Sequence, residues 1–228
     1  MIYSTKPSRR ETLWGGIYLI LYMSVLPAAV PLVMMLTMPE TGEADMNAVF
    51  LGLNFVATVA IFRKYLLQTV KDGLQKPLRT LWYALLGYLG TWALGDLISQ
   101  VILFLDPEFT NVNDSNIAGM MQENFLLMAL GTVVLAPISE ELLFRGLIFR
   151  GLYDRSPAIA HILTMVIFSM IHVSGYVILY PMKTLFFCFL QYLPIAYCLS
   201  FAYRYSGSLL APILIHMANN LVATAAMR

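Results

Sequence analysis

Apolar residues run almost unbroken from Leu13 to Leu36, and the chain then repeats this pattern. Further runs cover Met46 to Phe62, Thr80 to Leu105, about Ala118 to Tyr153, and Ala158 to about His172. The last two extend from about Pro181 to Tyr203 and from Leu209 to Ala226. Each is near the ~20 residues that carry a helix across ~30 Å of hydrocarbon, except the fourth, which is too long for one straight span. Helices are expected, because backbone facing lipid must satisfy its own hydrogen bonds. The pattern predicts an all-α polytopic transmembrane bundle of about seven spans. No repeat, low-complexity stretch or linker interrupts it, so residues 1–228 read as a single membrane-embedded domain. Pro137 lacks a backbone donor and clashes with the preceding turn, so it is expected to break or kink the long fourth run. The first run exceeds the ~7–15 apolar residues of a signal peptide and reads as an uncleaved anchor.

Composition strengthens this picture. Apolar residues make up 59% of the chain and charged ones 12%, whereas a soluble domain has about a quarter charged. The net charge of +1 hides an alternation. Lys6, Arg9 and Arg10 precede the first run, and Glu40, Glu43 and Asp45 follow it. Arg63, Lys64, Lys71, Lys76 and Arg79 follow the second, and Asp106, Glu108 and Asp114 the third. Basic loops alternating with loops that lack Lys and Arg place the N-terminus in the cytoplasm. Between Arg63 and Arg79, Leu66, Val70, Leu74 and Leu78 lie opposite most of the bases. That stretch is either a helix lying on anionic lipid or a basic loop that sets topology. Cys188 and Cys198 share one run and suggest neither a disulfide nor a metal site.

In such a chain polar residues are expensive, and those within the runs are candidates for function. They are Glu140, Glu141 and Arg145 in the fourth run, His172 in the fifth, and His216, Asn219 and Asn220 in the seventh. Glu140 lies about 15 residues before the turn at Arg155–Ser156 and His172 about 16 after it, so both sit roughly 23 Å along their helices. By the same counting His216, about ten residues into its helix, is shallower unless tilt closes the gap. Glu141 and Arg145 are i and i+4, acid first, the favourable order for an ion pair. That pairing leaves Glu140, about 100° away around the helix, free. His216 and Asn220 share a face, as do Phe168 and His172. One free carboxylate, two imidazoles and a carboxamide can activate water and stabilise an oxyanion. Asn219 reads as a helix-packing residue, His161 as an interfacial residue beside the turn, and Asp96 as packing or a polar cavity wall. Phosphate-binding glycine loops and nucleic-acid patches are absent, so nucleic acid is not an expected partner.

The motifs EELLFR, FSMIH and HMANN, in that order on successive apolar runs, resemble the CAAX-protease and bacteriocin-processing (CPBP, or ABI) family of membrane proteins. The resemblance covers a catalytic core of about residues 120–226. It implies an intramembrane glutamate-dependent endopeptidase. In it, Glu140 and His172 activate water and His216 and Asn220 stabilise the oxyanion, with Glu141, Arg145 and Phe168 supporting. No cofactor is implied. A zinc-dependent version stays open, with Glu140, His172 and His216 as a three-ligand catalytic site, although the chain has no HExxH. Two other readings stay open: a non-catalytic regulator or scaffold of this fold that binds a partner membrane protein, and a transporter or channel. For the protease, the expected substrate is a peptide or a lipidated, membrane-associated protein, with peptide processing and bacteriocin immunity as the roles of bacterial relatives. The expected location is a multi-pass bacterial plasma membrane.

Overall fold

Proline and capping residues decide where the apolar runs bend. The computed structural model describes residues 5–227. With Phe125–Tyr153 taken as one helix, ten helices and no strand form among the described residues. The run from Leu13 to Leu36 is not one straight helix. It forms α1 (Arg9–Ser24) and α2 (Leu26–Thr37), bent by 61° at Val25. Pro27 at the start of α2 cannot continue the α1 hydrogen-bond ladder, and the bend falls just before it. Helices α3 (Glu43–Ile61) and α5 (Pro77–Leu105) are separated by the short α4 (Arg63–Leu74).

Helix α6 (Val112–Glu123) stands apart from α7 (Phe125–Tyr153), which corrects the expected fourth segment beginning near Ala118. The separation is local chemistry. Asn124 leaves the helical conformation at φ −150°, ψ 86°, and its side chain accepts the Leu127 N–H at 3.3 Å as an N-cap. The chain ends with α8 (Pro157–Ser174), α9 (Met182–Ser206) and α10 (Leu210–Ala226). Five helices are long and apolar enough to cross a membrane, and α1 with α2 would make six. The count falls below seven because α10, although apolar, has only 17 residues. The chain is a multi-pass helical membrane protein.

Pro137 does not break α7. A π-helical stretch, Gly131–Leu135, precedes it, and the Ala136 N–H reaches back five residues to the Gly131 carbonyl. The ladder has thus changed register before the residue that lacks a donor. A second π stretch, Leu142–Phe149, follows Glu140 and Glu141. Single π turns within α-helices concentrate at functional sites, and here one lies on each side of the two glutamates.

Helices α7 and α9 form the interior. Half of the apolar stretch of α7 is buried and 56% of that of α9, against 11% for α5. Helix α9 packs on α5, α8 and α10. The core it builds with α7 holds Phe144, Phe149, Leu199 and Tyr203. Polar side chains on α7 and on the facing sides of α8 and α10 are therefore kept from lipid.

The stretch after Arg63 is a helix, and its inward face is centred beside the apolar row, not on it. Tyr65, Thr69 and Gly73 are buried on α4; of the apolar row, Leu66 and Val70 are partly buried beside them, and Leu74 and Leu78 are exposed. Ser208 Oγ donates to the Thr69 carbonyl at 2.5 Å, and the Leu209 N–H donates to Thr69 Oγ1 at 3.0 Å. Helix α4 thus pins the turn after Gly207, whose φ of 79° ends α9, and so sets where α10 begins. Tyr65 also locks α4 to α7. A Cβ on Gly146 would lie 2.8 Å from Tyr65 Cε1, and the Tyr65 hydroxyl is tied to Tyr203 at 2.6 Å, so the ring cannot easily retreat. Gly146→Ala is expected to destabilise the protein by about 1–3 kcal/mol, the usual penalty of overpacking. A lowered thermal unfolding midpoint in detergent would report it, and an unchanged midpoint would mean that the helices separate freely there.

Candidate active site

Helices α7, α8 and α10 bring most of the singled-out polar residues to one layer. Glu141 and Arg145, one turn apart on α7, form an ion pair at 2.9 Å with both side chains fully buried. The pair is completed from outside its helix. Arg145 Nη2 donates to the Ala196 carbonyl of α9 at 3.0 Å, and its guanidinium lies 4.6 Å from the centre of the Phe168 ring. A buried guanidinium needs several partners to offset the loss of water, and it finds a carboxylate, a carbonyl and an aromatic face.

Glu141 Oε1 has a second partner, His216 Nδ1 of α10, at 3.0 Å. An ionised carboxylate only accepts, so Nδ1 carries the proton and neutral His216 presents a lone pair at Nε2. That nitrogen lies 3.9 Å from Glu140 Oε2. Glu140 Oε2 is buried and accepts no hydrogen bond from the described residues. The adjacent glutamates therefore differ: Glu141 is bonded to both Arg145 and His216 through Oε1, although its Oε2 is also buried without a partner, while Glu140 faces an imidazole across a gap without a hydrogen bond to a described residue. Positioning of His216 by Glu141 is a contact that helical spacing did not reveal.

His172 near the end of α8 is oriented by its own helix. Its Nδ1 donates to the Phe168 carbonyl at 2.8 Å, which leaves Nε2 as the acceptor in the neutral ring. Its ring stacks on Tyr192 of α9 at 4.3 Å and lies 4.7 Å from Phe168. Phe168 also contacts the His216 ring at 5.8 Å, so one aromatic side chain touches both imidazoles and Arg145. The carboxylate nearest to an imidazole within 4.0 Å is reached by His216 and not by His172. Asn220 Nδ2 donates to the Thr132 carbonyl at 2.8 Å, within the first π stretch. One of its two amide protons is thus engaged, and the other, with Oδ1, is left for further use.

Tyr192 was not singled out from the sequence, where one more tyrosine in an apolar run carries no signal. Its hydroxyl donates to Asp114 Oδ1 at 2.9 Å and accepts from Asn113 Nδ2 at 2.9 Å. Helix α6 thereby holds the ring on which His172 rests.

The remaining polar residues lie elsewhere. Asp96 is exposed on the outer face of α5, where it accepts from Gln100 at 2.6 Å; it is neither a cavity wall nor buried packing. α5 turns that face away from the bundle. His161 bonds Ser200 Oγ at 2.8 Å and packs on Phe149 at 4.8 Å. Asn219 is half-buried. Cys188 and Cys198 are buried and free. Among the described residues no three His, Cys, Asp or Glu side chains form a group that could hold a metal ion. Glu140, His172 and His216 do not fit a zinc ligand set in this arrangement, because His172 turns its ring onto Tyr192 and lies beyond 4.0 Å of either glutamate.

Fold and site together define a polytopic helical membrane protein with an ionisable cluster sealed inside its bundle. Residues 122–222 match the family model described as type II CAAX prenyl endopeptidase Rce1-like, a protease family. The match contains the EELLFR, FSMIH and HMANN motifs, and over this segment it bears out the resemblance to the CAAX-protease family. Helices α1 to α5 lie outside it. No curated protein and no solved structure matches the chain.

Proposed function

We propose that this protein is an intramembrane glutamate-dependent endopeptidase acting on a peptide or on a lipidated, membrane-associated protein. The observation that carries the reading is the buried Glu140 carboxylate, which, unlike that of Glu141, makes no hydrogen bond to a described residue and faces His216 across 3.9 Å. Burying a carboxylate without partners is costly, and a use in chemistry accounts for keeping it.

In the proposed reaction Glu140 takes one proton from water while the remaining O–H donates a hydrogen bond to His172 Nε2, which orients the oxygen. The hydroxide adds to the scissile carbonyl. The resulting oxyanion is met by the free N–H of Asn220 and by Nε2–H of His216 in its imidazolium form, which takes up a proton from solvent at Nε2 before the reaction while Nδ1–H stays bonded to Glu141. Glu140 then passes its proton to the leaving amine, so that water has added across the amide and the base is restored. Glu141 and Arg145 hold His216, and Phe168 packs against both imidazoles. None of these steps needs a metal ion. The proposed setting is a bacterial plasma membrane with the N-terminus in the cytoplasm.

Asn220→Ala tests the oxyanion role. Loss of one such donor is expected to lower turnover ~10²–10³-fold, because the donor acts on the transition state. The measurement is hydrolysis of a fluorogenic prenylated CAAX peptide by purified protein in detergent, with KM and kcat resolved. A drop in kcat at nearly constant KM supports the role. Wild-type turnover in Asn220→Ala would remove it, and no cleavage by wild type of any prenylated or unprenylated peptide would favour the scaffold reading.

A further inference from the structure

A second site lies away from the glutamates, where α1 begins and α3 meets α4. A cavity of about 630 Å³ is lined there by Arg10, Glu11, Trp14, Ile61, Arg63 and Lys64, with Ser8 and Ala60 completing its wall. Three cations converge on it from two helices that are far apart in sequence. Its one acid, Glu11, offsets one of the three charges and is itself held by backbone N–H groups, not by the cations. Glu11 Oε2 accepts the Ser8 N–H at 2.8 Å in a capping box, and Glu11 Oε1 accepts the Tyr65 N–H at 2.9 Å. Arg10, Arg63 and Lys64 form no ion pair with a described residue. With three cations and one carboxylate facing it the cavity keeps an excess of positive charge, which an anion there would relieve.

The lining also states what kind of anion fits. Trp14 is half-exposed, Ala60 and Ile61 form an apolar wall, and Leu13 and Ile17, one and three residues from Trp14 on α1, are exposed. A free phosphate would use the cations and leave the indole and the apolar wall idle. A headgroup phosphate joined to a glycerol ester uses both, and the volume suits such a group. Trp is favoured at this polar–apolar boundary, and basic pockets between membrane helices bind anionic headgroups.

We infer that this cavity is a binding site for the phosphate headgroup of an anionic phospholipid, with Arg10, Arg63 and Lys64 as its cations and Trp14 against the glycerol region. The inference is independent of the chemistry at Glu140. Its test uses the full chain in neutral detergent, titrated with phosphatidylglycerol or with phosphatidylcholine of the same acyl chains. Retained lipid is measured by native mass spectrometry and stabilisation by the unfolding midpoint, which a ligand raises by mass action. Phosphatidylglycerol is expected to be retained selectively. Arg63→Ala with Lys64→Ala should weaken it about 25-fold, taking about five-fold per cation, while Lys71→Ala with Lys76→Ala, removing equal charge elsewhere on the same basic stretch, should leave it within about two-fold. Arg10→Gln and Trp14→Ala, each expected to weaken binding several-fold, decide the matter if the double variant fails to fold. Equal weakening by both double variants, or no preference over phosphatidylcholine, would overturn the site. Inorganic phosphate bound as tightly in phosphatidylcholine micelles would also overturn it, by showing a soluble anion as the ligand.

Discussion

Glu140→Gln is expected to lower peptide cleavage by about 10²–10⁴-fold, the contribution of a positioned general base, without weakening the fold. The two halves of that expectation come from one observation. Glu140 Oε2 is buried and accepts no hydrogen bond from the described residues, so the native carboxylate is held at a cost in stability. Glutamine has the same shape and no charge to desolvate. The unfolding midpoint of Glu140→Gln should therefore equal or exceed that of wild type, the pattern expected where a site gives up stability for function. Cleavage rates and midpoints measured on the same preparations check both halves. A variant that is both inactive and destabilised would mean that Glu140 serves the fold instead.

The neighbouring glutamate should behave in the opposite way. Glu141→Gln leaves Arg145 buried without its counter-charge, and it weakens the hold on His216 Nδ1. Breaking a buried ion pair from one side costs about 3–5 kcal/mol, a large share of the roughly 5–15 kcal/mol by which folded proteins are stable. Low membrane yield and a midpoint lowered by many degrees are expected, with any residual activity tracking the folded fraction. Glu141→Gln with wild-type stability would show that Ala196 and Phe168 suffice to hold Arg145. The expected result instead separates the two adjacent carboxylates by their partners: one bonded to a cation and an imidazole, the other facing an imidazole without a bond.

The sequence showed the elements more clearly than their junctions. Apolar runs located α3, α5, α8 and α9 closely, because lipid demands uninterrupted helices of that length. The bend at Val25 depended on Pro27, which was visible in the sequence but lay inside a run long enough to read as one span. The cap at Asn124 is equally visible, but the polar triplet Gln122–Glu123–Asn124 is short and apolar residues resume on both sides of it. The π stretches around Glu140 have no local signature, since their register depends on how α7 packs against its neighbours. In the site, helical spacing brought Glu141 to Arg145 and placed His216 and Asn220 on one face. It could not show that His216 Nδ1 would bond Glu141, 75 residues away, nor that Tyr192 would stack on His172. Those are contacts between helices, and no periodicity within a single helix encodes them.

The most direct measurement is cleavage of a fluorogenic prenylated CAAX peptide by the detergent-purified wild-type protein before and after exhaustive chelation, beside Glu140→Gln under the same conditions. The expected result is an unchanged wild-type rate after chelation and a rate reduced by at least about 10²-fold in Glu140→Gln. Activity lost to the chelator and restored by zinc, or wild-type cleavage by Glu140→Gln, would contradict a glutamate base acting without a metal.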